Sequence, residues 1–185
     1  MQILLRALRN DESLMLAYQK GDSVAFEVLY MRHKDSLFKF LYNSCQQHQL
    51  VEDLAQDIWL SIIRGVANYK PLATFKTYLY RIARNKLIDH WRQNKENKYA
   101  HSEFNEQAYL HNTDYFSAAE RKMQVGEVLD AIMQLPGEQR EAFLLRAEGF
   151  SQQEISEITD SKPETVKSRV RYATRQLHSM MEVSA

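Results

Sequence analysis

Apolar residues recur at helical spacing through almost the whole chain, and no segment alternates apolar and polar with the period of a strand for long. That pattern argues against a sheet-based fold and predicts an all-α protein. Only 5 glycines and 3 prolines occur, too few for the many turns of a stranded architecture. Asp22 is placed to cap a helix carrying Val24, Ala25, Val28 and Leu29, then Leu37, Phe38, Phe40 and Leu41. A second helix runs through Leu50, Leu54, Ile58 and Ile62, with Val51, Ala55 and Trp59 beside them, before Pro71 breaks the chain. A third is expected from near Thr74 to about Asn97.

The periodicity stops at YAHSEFNEQAYLHNTDYF, which carries Glu103, Glu106 and Asp114 and no Lys or Arg. It resumes with Ala119, Met123, Val128, Leu129 and Ile132 as far as Leu135-Pro136-Gly137, and continues in segments 138–148, 151–159 and 163–181. The expected organisation is two small helical domains, 1–98 and 119–185, joined by an acidic linker at 99–118. A length of 185 residues suits that division.

Ser151-Gln-Gln-Glu154 and Ser161-Lys-Pro-Glu164 both fit the capping-box pattern, in which a hydroxyl accepts from a first-turn N–H and the Glu reaches back. Two helix starts so close together leave room for one short helix and a tight turn. On the longer second helix, Val166, Val170, Ala173 and Leu177 form one apolar face, and Glu164, Lys167, Ser168, Arg171 and Arg175 form the opposite one. A helix-turn-helix of this kind suits the major groove, with short side chains at the helix start and cations for phosphate or guanine edges.

The expected third helix carries a second concentration of positive charge. Arg81, Arg84, Asn85, Arg92 and Lys95 fall within an arc of about 100° on a helical wheel. Phe75, Leu79 and Ile82 point elsewhere, toward the core, while Ile88 and Trp91 lie on or near the basic side. Cations interleaved with apolar groups suit a surface that holds phosphate and stacks unpaired bases. Trp91 by itself is better read as helix packing. Glu52, Asp53 and Asp57 cluster early in the preceding helix. Dipole complementation accounts for Glu52 and Asp53, and an acidic docking patch is the stronger functional reading than a divalent-metal site, which lacks further ligands.

Other chemistry finds little support. Cys45 is the lone cysteine, so neither an internal disulfide nor a cysteine-based zinc site can form. His33, His48, His90, His101 and His111 are scattered, and no glycine-rich phosphate loop or nucleophile–base pair is present. No catalytic residue, metal or cofactor is expected. No apolar run is long enough to span a bilayer, and MQILLRALRN soon meets Asp11 and Glu12, so membrane insertion is not expected and a cytoplasmic setting is.

In combination these segments resemble bacterial RNA polymerase sigma factors of the extracytoplasmic-function (ECF) group, in the sigma-70 superfamily. GDSVAFEVLYMRH at 21–33 resembles the family's opening helix and VEDLAQDIWLSIIR at 51–64 its core-binding segment. FKTYLYRIARNKLIDHWRQ at 75–93 resembles the promoter-melting segment, and the stretch 135–177 resembles the C-terminal domain. The resemblance implies an alternative sigma factor that binds RNA polymerase core, through its β and β′ subunits, and directs it to promoter DNA. It assigns core binding to Asp53, Gln56 and Asp57. It assigns the −10 element to Lys76, Tyr78, Arg81, Arg84, Asn85, Arg92 and Lys95, and the −35 element to Glu164, Thr165, Lys167, Ser168, Arg169, Arg171 and Arg175. An anti-sigma factor is a further partner it makes plausible. Departures from the family pattern fall at Ser156, Asp160 and Pro163, around the turn. A repressor or activator acting without polymerase, and a metal-dependent enzyme built on Glu52, Asp53 and Asp57, are the rival readings.

The formal net charge is zero, from 24 Lys and Arg against 24 Asp and Glu. That balance conceals segregation: residues 64–98 carry 9 basic and 2 acidic groups, whereas residues 121–160 carry 4 and 8. Zero net charge therefore does not exclude nucleic acid as a partner.

Overall fold

The computed structural model describes the backbone at residue 6, residues 8–98 and residues 119–183, and side chains at 6, 8–93 and 126–182. The expected linker at 99–118 lies outside the described residues. Among the described residues the regular structure is helical: α1 (Asp11–Gln19), α2 (Ser23–Cys45), α3 (His48–Gly65), α4 (Phe75–Lys98), α5 (Ala119–Gln134), α6 (Gly137–Ala147), α7 (Gln152–Thr159) and α8 (Pro163–Val183), with a 3-10 turn at Val66–Asn68. The all-α expectation holds.

Helix α1 was not among the expected elements, yet its signals are present. The Asn10 side chain accepts from Ser13 N, and Asp11 and Glu12 occupy the first turn, where carboxylates complement the helix dipole. Leu14 and Met15 are wholly buried. The acids also reach outward. Asp11 pairs with Arg32 and lies 2.6 Å from His33 Nε2 on α2. Burial pushes the Asp11 carboxyl up, but the hydrogen bonds from His33 and Arg32 outweigh it and hold the group below its ordinary value. Glu12 Oε1 accepts from the Phe75 backbone N–H at 2.7 Å, occupying an otherwise unpartnered donor at the start of α4. A short N-terminal helix thus fixes where α4 begins.

Asp22 caps α2 as expected, accepting from Ala25 N. Helices α1 to α4 enclose one apolar core in which Leu29, Leu41, Ile58, Ile62, Phe75 and Leu79 are wholly buried. In the C-terminal half, α6 and α8 pack closely, and α7 lies against both. The two halves meet where α4 packs on α7 and where α2 packs on α5 and α6.

The capping box at Ser151 and Glu154 forms in full. The second does not. Ser161 Oγ instead donates to the Thr159 carbonyl and accepts from Arg169 Nη1 at 2.8 Å. The helix starts at Pro163, whose fixed φ and missing N–H suit the first helical position, so Ser161 stands too far out to cap. The departures at the turn answer one another. Asp160 adopts the left-handed conformation (φ 49°), where an Asp is tolerated less well than a glycine. Ser156 Oγ donates to the Ser161 carbonyl at 2.5 Å and so partners a backbone group of that turn.

Candidate nucleic-acid and partner interfaces

The basic face of α4 is only partly open. Arg81, Asn85 and Arg92 are exposed, the last paired with Asp89 at 2.9 Å. Lys95 lies near the end of the helix, with its side chain outside the described residues. Tyr78 does not join this face. One turn beyond Phe75, it packs its ring on Phe75 and Tyr69, with centroids 6.3 and 5.3 Å away, and burial raises its hydroxyl pKa. Trp91 is half-buried against the core, as its packing reading required.

Lys76 and Arg84 are engaged by the C-terminal half. Lys76 Nζ donates to the Glu148 carbonyl at 2.6 Å and lies 4.6 Å from the centre of the Phe150 ring. Arg84 Nε donates to Glu141 Oε1 at 2.9 Å, with both side chains largely buried. Tyr80, which sequence reasoning passed over, is wholly buried between Phe40 and Phe150 and donates to Glu148 Oε2 at 3.1 Å. Burial pushes its hydroxyl well above the usual phenol value. Nothing in the local pattern of α4 marks Tyr80, because its partner Phe150 lies far along the chain.

On α8, Glu164, Thr165, Lys167, Arg171 and Arg175 are exposed and Ser168 is half-buried. Arg171 and Arg175 flank the Tyr172 ring, 5.1 and 5.9 Å from its centre, an arrangement in which cations sit against the aromatic face. A shallow groove between α7 and α8 is lined by Arg146, Gln152, Lys167 and Arg171 over Ile155 and Val166. Arg169 does not share this surface. It sits within a turn of the buried Val166 and Ala173, and its guanidinium turns inward to Ser161 Oγ and Glu138.

Asp53, Gln56 and Asp57 are all exposed on α3. Asp57 lies 3.4 Å from Lys86 Nζ, an exposed pair of small energetic weight. Beside them runs a groove between α2 and α3 lined by Tyr30, Phe38, Ala55, Trp59, Leu60 and Ile63, with Glu52 and Gln56 at its edge. Leu60 and Ile63 are 42% and 37% exposed, unusual for such side chains on a helix with a full core face. The sequence held a signal for this groove: α3 is apolar beyond a single stripe, since Leu60 and Ile63 fall outside the arc of Ile58 and Ile62. An apolar trough with a polar rim of Lys34, Asp35, Glu52 and Gln56 is suited to a protein partner.

Among the described residues no three His, Cys, Asp or Glu side chains come together to hold a metal ion, and no helix is long and apolar enough to cross a membrane. Glu52 pairs with His48 rather than converging with Asp53 and Asp57.

Comparison with known proteins bears on the whole chain. A family model described as Sigma-70 region 2 matches residues 29–97, and one described as Sigma-70, region 4 matches residues 126–177. The RNA polymerase sigma factor CarQ of Myxococcus xanthus is 30% identical over 169 residues, covering 90% of this chain and 95% of that protein. The ECF RNA polymerase sigma factor SigM of Mycobacterium tuberculosis is 29% identical over 177 residues, covering 94% and 85%. Among solved structures, the sigma factor RpoE in complex with the anti-sigma factor NepR from Bartonella quintana is 25% identical with a TM-score of 0.73, covering 86% of this chain and 98% of that one. CnrH, solved in complex with the cytosolic domain of CnrY, shares the fold at a TM-score of 0.74 and 21% identity, over 95% and 99%. With two region models in the order of the two helical halves, and full-length relatives of one kind, the chain belongs to the sigma-70 family of RNA polymerase sigma factors, in the extracytoplasmic-function group.

Proposed function

We propose that this alternative sigma factor divides its work between residues 1–98 and 119–185. The first part docks on core polymerase and handles the −10 element; the second reads the −35 element; the acidic stretch 99–118 joins them. Asp53, Gln56 and Asp57 face the β′ subunit, with the groove of Leu60 and Ile63 taking the partner's apolar side chains. Arg81, Asn85 and Arg92 hold the strand whose bases unpair, joined by Lys76, Arg84 and Lys95. The start of α8 enters the major groove with Glu164, Thr165, Lys167 and Ser168, and Arg171 and Arg175 meet phosphate. Arg169 and Tyr78 support these surfaces from behind.

The observation that carries this reading is the segregation of surfaces in one chain: an exposed acidic face beside an apolar trough on α3, and cations on α4 and α8. A DNA-binding regulator acting alone needs the cations of α8 but has no use for the trough or the acid. No covalent chemistry is asked of the chain. Opening is driven by tighter binding to the open form, and capture of an extruded base offsets roughly a few kcal/mol of unstacking. Docking on core polymerase and promoter DNA implies a cytoplasmic setting, and the relative RpoE, captured with the anti-sigma factor NepR, supports an anti-sigma factor as a further partner.

Mobility shifts on a genomic promoter fragment test the division of labour. A stable complex is expected only when core polymerase is present; a stable complex of this chain alone with duplex DNA favours the stand-alone regulator. In the polymerase complex, Arg171→Ala is expected to weaken binding and reduce the salt slope by about one unit, the loss of one phosphate contact. An unchanged slope would show that Arg171 touches no phosphate.

A further inference from the structure

One large ring on α8 is not used by the core. Tyr172 is 46% exposed and lies outside the apolar cluster. At helical spacing it stands about 130° from the middle of the face formed by Val166, Val170, Ala173 and Leu177. Its contacts are with cations instead. The guanidinium carbons of Arg171 and Arg175 lie 5.1 and 5.9 Å from the centre of its ring, and Arg171 Nη2 lies 3.4 Å from its hydroxyl oxygen. The two arginines are four residues apart, so their like charges meet on one side of the helix and repel. Other arginines of this fold are held by acid: Arg84 by Glu141 at 2.9 Å, and Arg169 by Glu138. Arg171 and Arg175 have an aromatic ring in that place.

The kind of partner decides what stays available. A carboxylate occupies the N–H edge of a guanidinium and neutralises its charge. A ring takes the flat face, and leaves both the edge and the charge for a phosphate. We propose that Tyr172 is a positioning residue for duplex DNA: its ring holds Arg171 and Arg175 in place, with their N–H edges free to grip the phosphate backbone beside the groove. The proposal rests on the reading of α8 as the −35 helix. The position along the helix fits. Glu164, Thr165, Lys167 and Ser168 lie in the first two turns, the part of a recognition helix that reaches base edges, and Arg171, Tyr172 and Arg175 follow farther along, toward the backbone. A free arginine gives up much rotamer freedom when it binds, and one already held by a ring gives up less. The ring rather than the hydroxyl carries the role, because the ring is what both arginines share.

The test measures binding of the polymerase complex, formed with the full chain, to a fluorescein-labelled genomic promoter fragment. Tyr172→Leu keeps an apolar helix former without the aromatic face, and is expected to lower affinity about fivefold, the loss of two exposed cation–ring contacts. Tyr172→Phe keeps the ring and is expected to stay within about twofold of wild type. Coupling separates positioning from a contact of Tyr172's own. On an Arg171→Ala, Arg175→Ala background, Tyr172→Leu is expected to cost nothing further. Tyr172→Gln repeats the comparison should circular dichroism show that Tyr172→Leu does not fold. Equal losses from Tyr172→Leu on both backgrounds overturn the proposal. So does a loss from Tyr172→Phe as large as that from Tyr172→Leu, or no loss from Tyr172→Leu at all. A separate outcome bears on the underlying reading. If the Arg171→Ala, Arg175→Ala pair leaves affinity and its salt dependence unchanged, these arginines touch no phosphate, and it is the −35 assignment that fails.

Discussion

Reversing Asp53 and Asp57 to Lys is expected to weaken binding to core polymerase about a hundredfold, because two like-charge contacts replace two attractive ones and each reversal costs a kcal/mol or more, roughly. The fold should survive. Both side chains are exposed on α3, and the Asp57–Lys86 pair that is lost is a surface contact worth about 1 kcal/mol or less. Neither residue lines the apolar groove, so Leu60 and Ile63 keep their positions and the loss reads the electrostatic part of docking alone. Steered association adds a signature, since the deficit should fall mainly on the association rate and shrink as salt rises. Titration of labelled protein with core polymerase at two salt concentrations measures both. Unchanged affinity at low salt would remove α3 as the docking face.

The largest effect on stability is expected from Phe75→Ala, at about 3–5 kcal/mol for an aromatic side chain lost from a packed core. Phe75 is wholly buried and touches the rings of His33 and Tyr78. It is also the residue where α1, α2 and α4 meet, since its N–H is held by Glu12. The cavity thus opens at the start of the helix assigned to the −10 element, and function should fall with stability. Both tryptophans, Trp59 and Trp91, lie in the N-terminal half, so a urea titration followed by their fluorescence reports on that half directly. A loss below about 1 kcal/mol would mean that the site collapses freely and that the junction is not the keystone of the core.

The helices were legible in the sequence wherever one apolar stripe had one neighbour. α2 starts at its Asp22 cap, α4 follows Thr74, whose hydroxyl accepts from Thr77 N, and the α7 box at Ser151 and Glu154 forms in full. α1 was legible in principle, from Asn10, Asp11 and Glu12 ahead of Leu14 and Met15, but nine residues carry too little periodicity to stand out. What sequence could not supply was partnership at a distance. Tyr78 and Tyr80 look alike along the chain; only the placement of Tyr69 and Phe150 decides that one packs in the N-terminal core and the other meets the C-terminal half. Arg169 and Arg171 look alike too, and the buried neighbours of Arg169 turn it inward. Arg84 belongs to the basic arc of α4 by spacing, and its partner Glu141 lies far along the chain. Local spacing assigned the cations to faces, and long-range packing decided which of them are open.

The central claim is that this chain gives core polymerase a promoter. Run-off transcription on genomic fragments, with permanganate probing of unpaired thymines, tests it directly. With core and wild-type chain, discrete starts are expected with reactive thymines just upstream, and core alone should give neither. An Asn85→Ala, Arg92→Ala double variant should still form the closed complex while losing most of the permanganate signal. Discrete starts that appear equally with core alone, or a chain that binds fragments without core and adds no start, would contradict the account.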